Sequence, residues 1–203
     1  MLQAVPALPI SRADWVRTAG GQFLDQARLF SSTTVALLTR PKAFFRDWAE
    51  GTHRSLSPFT YFAASLAIVG PINAALKTYH GTLSATPLLT LLFPYFEFVA
   101  LGLLTHAFLK LIAKPHEWAL SLAVAFFAGG GPAALADLVG VAIGGIDGLV
   151  VAAGIIAVNA VFIGVLVIGL AAVHGLRWWQ PLLALVLADL VWTAAKIGAL
   201  LVA

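Results

Sequence analysis

From Ser57 to Ala203 the chain carries only ten charged side chains in 147 residues. A folded body of that length cannot cover itself with so few charges and still face water. The chain as a whole, 203 residues, is 61% apolar and 10% charged with a mean hydropathy of +0.95, whereas soluble domains run near ~45–50% apolar and ~25% charged. The long second part therefore reads as lipid-embedded helix, and the first 56 residues, with seven Lys/Arg and four Asp/Glu, as its polar edge.

A helix that crosses a bilayer needs about 20 mostly apolar residues. Five windows of that size are bounded by turn or charge signals, at about 57–76, 86–108, 118–140, 149–173 and 181–200. Ser57-Pro58 and Thr86-Pro87 open the first two, each a hydroxyl that can accept a backbone N–H followed by a proline where no hydrogen bond is lost. The third is interrupted by Gly129-Gly130-Gly131-Pro132. In the fourth, Ala152, Ala153, Gly154, Ala157, Ala160, Gly164 and Gly169 allow close backbone approach and predict a central helix. Connections of about seven to nine residues make successive helices antiparallel neighbours. The expected fold is an all-α polytopic membrane protein, a five-helix transmembrane bundle over 57–203 preceded by a cytoplasmic, interfacial segment over 1–56.

Two stretches of that segment are amphipathic. Over Pro41–Glu50, helical projection gathers Phe44, Phe45 and Trp48 on one arc, the pattern of a helix lying in the membrane interface, the alternative being that such a face packs on the bundle's own cytoplasmic surface. Over Gln22–Phe30, Phe23, Leu24, Ala27 and Phe30 share a side, and Gly20-Gly21 is expected to separate this stretch from what precedes. With the N-terminus cytoplasmic, ten of the twelve Lys/Arg lie on one side, which places the C-terminus outside. Only Lys77 and Lys196 fall at the opposite ends, while Trp118, Trp178 and Trp179 mark the cytoplasmic interface. The opening residues have no basic stretch ahead of an apolar run, so no cleavable signal peptide is expected.

A charged residue at a helix centre costs roughly +2.5–3.5 kcal/mol on insertion scales, so each intramembrane polar group needs a reason. Glu97, Asn159 and Asp189 fall near mid-depth of the second, fourth and fifth windows. They read either as a cation, proton or polar-solute site, with Pro94 and the Gly129–Pro132 break freeing backbone carbonyls beside it, or as hydrogen-bonding glue between helices. Asp137 and Asp147 lie near the outer face and are expected to be solvated. His106, Lys110, His116 and His174 sit near the cytoplasmic ends, without the spacing of a metal site. With no Cys, no phosphate-binding loop and no nucleophile beside a base, neither a metal, a cofactor nor an enzymatic activity is expected. The small net charge of +3, confined to the first 56 residues, points to the membrane surface and not to nucleic acid.

LLTRPKAFFRDW (Leu37–Trp48), FFAGGGPAALADL (Phe126–Leu138) and IGLAAVHGLRWWQPLLALVL (Ile168–Leu187) occur in an order that resembles the YIP family, the Ypt-interacting-protein-like domain, in its bacterial branch. The likeness covers roughly residues 35 to 203. It lacks the acidic Asp-Leu-Tyr-Gly-Pro segment and the Gly-Tyr pair of eukaryotic members. The resemblance implies five membrane helices, a bacterial inner membrane, no catalytic residues, and a non-enzymatic scaffold or adaptor whose partners are the lipid bilayer and another membrane protein or a second copy. The alternative from the residues themselves is a small transporter or channel subunit using Glu97, Asn159 and Asp189.

Overall fold

The computed structural model describes residues 12–79, 87–143 and 148–202, and among them the protein is all-helical, with no strand. The helices are α1 (Arg12–Thr39), α2 (Pro41–Ala49), α3 (Pro58–Tyr79), α4 (Pro87–Ile112), α5 (Trp118–Gly129), α6 (Gly131–Ile143), α7 (Gly148–His174) and α8 (Trp179–Val202). Among the described residues three stretches are long and apolar enough to cross a membrane: Pro58–Leu76, Trp118–Leu135 and Trp179–Gly198. Shorter apolar stretches, Val99–Ile112 and Asn159–His174, lie in α4 and α7. Asp147, the side chain of Asp137 and the first eleven residues lie outside the described residues.

Local chemistry sets the helix ends. Ser57 Oγ accepts the Thr60 N–H at 3.2 Å ahead of Pro58, the expected cap of α3. Gly51 and Gly175 take positive φ, 72° and 64°, and the next amide in each case reaches back five residues, from Thr52 to Asp47 and from Leu176 to Ala171. That left-handed glycine with a five-residue return closes α2 and α7. Gly20-Gly21 does not interrupt α1, contrary to expectation. Glycine lowers helix stability by about 1 kcal/mol without forbidding the conformation.

The Gly129–Pro132 break is real, and Tyr61 gives it a purpose. Gly130 leaves helical geometry at ψ −109°, so α6 begins afresh at Gly131. Thr34 donates its hydroxyl to Phe30 O at 2.9 Å, so the 2.8 Å contact between Thr34 and Tyr61 has Tyr61 as donor. The Tyr61 hydroxyl lies against Gly131, at the start of the new helix. A Cβ at Gly131 would collide with that hydroxyl. Gly131 thus lies against Tyr61 of α3 and Thr34 of α1.

The apolar face of α2 takes the second of its two expected partners, the bundle. Phe44 and Phe45 are 1% and 0% exposed, and Trp48 is half-buried. All three rings meet Phe127 of α5 edge-on, at centroid distances of 5.0, 6.0 and 5.5 Å. Gly169 makes room for them, since a Cβ there would lie 2.6 Å from the Phe45 ring. The assignment of Phe44, Phe45 and Trp48 to the membrane interface is thus corrected: an amphipathic helix buries its apolar face wherever a complementary surface lies, and here that is the bundle. The expectation of a central fourth helix agrees with the packing. α7 packs against α1, α2, α5, α6 and α8 and places Phe162, Val165, Leu166, Leu170 and Val173 in the core, beside α5 with Val124 and Phe127 fully buried.

A candidate polar site between three helices

The three mid-depth groups, isolated polar residues in otherwise apolar helices, come together. Glu97 and Leu101 of α4, Asn159, Phe162 and Ile163 of α7, and Leu182, Leu185, Val186, Asp189 and Leu190 of α8 line one cavity of about 450 Å³. α4 packs along α8, and α7 packs on α8 beside them. The walls are mostly aliphatic, so the two carboxyl groups and the carboxamide are the features that could orient a bound group.

Two residues unmarked by the sequence reading complete the site. Trp192 donates its indole N–H to Glu97 Oε1 at 2.7 Å, and the Lys196 ammonium pairs with the same oxygen. Lys196, expected merely to mark the outer end of its helix, reaches back to α4. The Glu97 Oε2 atom keeps no protein partner among the described residues, and Asp189, exposed on α8, has no ion-pair partner among them. With both acids ionised, two negative charges face one ammonium, an excess of one negative charge. Asp189, Trp192 and Lys196 follow i, i+3, i+7 spacing, one helix face. That spacing is the signal from which the two missing members are readable.

A second polar cluster lies at the other end of α4. His106 Nδ1 and His174 Nε2 each lie 2.7 Å from Ser121 Oγ, and the His116 amide donates to His174 Nδ1 at 3.0 Å. The amide fixes every hydrogen in the chain. Because His174 Nδ1 accepts, Nε2 carries the proton and donates to Ser121, whose own proton goes to His106 Nδ1. His106 Nε2–H is then left buried with no partner among the described residues. The expectation that no hydroxyl sits beside a base is corrected here, but Ser121 is fully buried and its oxygen is partnered on both sides, which is the geometry of a helix tie. Among the described residues no group of three or more His, Asp or Glu could hold a metal ion.

No family model matches this chain, and neither a curated protein nor a solved structure matches it.

Proposed function

We propose that the chain is a non-enzymatic, five-span integral membrane protein whose α4–α7–α8 cavity binds a small cationic or protonatable solute, as a transporter or channel subunit does. One observation carries this reading: Glu97, Asn159 and Asp189, each from a different helix, line the same cavity. Membrane glue needs only pairwise contacts, whereas three polar groups around 450 Å³ of space form a receptacle. The excess carboxylate selects a monocation, and the aliphatic walls favour one with a short apolar body. α4 and α7, with 26 and 27 residues, have the length for the two further spans. Since Asp189 and Asn159 lie on the outer surface of a single copy, a second copy covering α8 would keep them from lipid.

The test uses the full chain in proteoliposomes with methylammonium as probe. Uptake down an imposed gradient is expected from the native protein and at least a ten-fold loss from Glu97→Gln and from Asp189→Asn, which keep shape and hydrogen bonding but remove charge. Full uptake by both variants would leave the carboxylates as helix glue and overturn the reading.

A second reading, the scaffold or adaptor implied by the YIP resemblance, has its own support. Phe23 and Leu24 of α1 are 72% and 57% exposed, and apolar residues so placed suit a partner surface. Partner capture that is lost on Phe23→Ser with Leu24→Ser, and unaffected by Glu97→Gln, would favour it. Under either reading the cytoplasmic N-terminus, the outer C-terminus and a bacterial inner membrane are part of the proposal, supported by the Lys/Arg bias.

A further inference from the structure

A cleft of about 510 Å³ lies where α2 crosses α7, lined by Arg40, Pro41, Lys42, Ala43, Arg46 and Ile168. Its three ionisable groups are all cationic. Arg46 shares its charge with Asp47 at 3.3 Å, on the exposed surface outside the cleft, while Arg40 and Lys42 make no ion pair among the described residues. Two guanidinium forks and an ammonium around one space suit a phosphate, which takes paired N–H donors from arginine and a point charge from lysine.

The position of the cleft says which phosphate. Ile168 precedes the end of α7 at His174 by six residues, so the cleft lies about 9 Å along the helix from its end. That end carries exposed Trp178 and Trp179, and the His116–His174 bond ties it to the turn before exposed Trp118. Exposed tryptophans gather at headgroup depth. The cleft therefore opens within about 9 Å of headgroup level, within reach of a lipid phosphate, beside an apolar wall, Ile168, along which an acyl chain can run.

We infer that this cleft binds the phosphate of an anionic phospholipid from the surrounding leaflet, with Arg40, Lys42 and Arg46 as its ligands. The inference shares the membrane reading given above but not the α4–α7–α8 cavity. Because α2 is packed through Phe44 and Phe45 onto the bundle, the three cations are held by a fixed helix, so the site is a seat for one lipid and not a diffuse basic patch.

The test titrates the full-length protein, purified in an uncharged detergent, with phosphatidylglycerol and with phosphatidylcholine, and reads bound lipid by native mass spectrometry. Phosphatidylglycerol is expected to bind at least about ten-fold more tightly. The variant Arg40→Gln, Lys42→Gln, Arg46→Gln is expected to lose that preference, while Lys110→Gln, Lys114→Gln, Arg177→Gln, which removes as much charge elsewhere, keeps it. Equal binding of the two lipids, an equal loss in both variants, or displacement of the lipid by inorganic phosphate at the same concentration would each overturn the inference. All three side chains are exposed, so the triple variant is expected to fold. Competition by phosphate on the native protein answers the same question without any substitution. Methylammonium uptake is unaffected by either result, so failure here leaves the α4–α7–α8 reading standing.

Discussion

Ser121 is a single hydroxyl that satisfies two imidazoles, and its removal leaves two buried polar atoms, His174 Nε2–H and His106 Nδ1, with nothing to bond. Each such orphan costs about 1–3 kcal/mol, so Ser121→Ala is expected to destabilise the protein by at least about 2 kcal/mol. Thermal unfolding in detergent measures it, with Lys114→Ala as an exposed control; a Ser121→Ala protein as stable as the native one would show that the network carries no net stability. At this scale the sequence is legible only where a residue is costly. Glu97 and Asp189 announce themselves because a charge at mid-depth demands an explanation, and they do share a cavity. Ser121 costs nothing in a helix, and its partners lie 15 and 53 residues away. Trp192 and Lys196 stand between these cases, visible once helix α8 is read by face and not only by depth.

For an element, periodicity gives the apolar face but not what that face meets. The residues of α2 fit an interfacial helix as well as a docked one, and the choice depends on a surface built from α5 and α7, with Phe127 as the ring that the three α2 aromatics contact and Gly169 as the gap that admits Phe45. Cavity-forming changes at this seat therefore act on the whole bundle. Phe45→Ala is expected to cost about 3–5 kcal/mol, against less than about 0.5 kcal/mol for the exposed Lys42→Ala, in the same unfolding measurement. If the two variants unfold alike, α2 is not part of the cooperative unit. The Gly129–Pro132 break has the same lesson in reverse. Its existence is written in the sequence, whereas its use, a seat for the Tyr61 hydroxyl against Gly131, requires α3 to be in place.

Across the whole molecule, polar and aromatic markers collect at one end for a physical reason that goes beyond the count of basic residues. The His116 amide holds His174, which joins the turn between α4 and α5 to the end of α7, and Lys110, Lys114, Trp118, Arg177, Trp178 and Trp179 all flank those two connections. Whichever side of the membrane receives one of them receives them all. Under the proposed orientation, Lys/Arg retention on the cytoplasmic side acts on the bundle as a unit, because the six cannot be divided between leaflets without breaking the α4–α5–α7 packing. The chain has no native Cys, so single replacements report cleanly. Cys at Lys114 or Arg177 is expected to react with an impermeant thiol reagent only after the membrane is opened, and Cys at His80 or Asp147 to react in intact cells. Labelling of the Lys114 and Arg177 positions from outside, together, would invert the orientation while preserving the fold. Labelling of one without the other would break the shared end itself, and with it the hydrogen-bonded tie between His116 and His174.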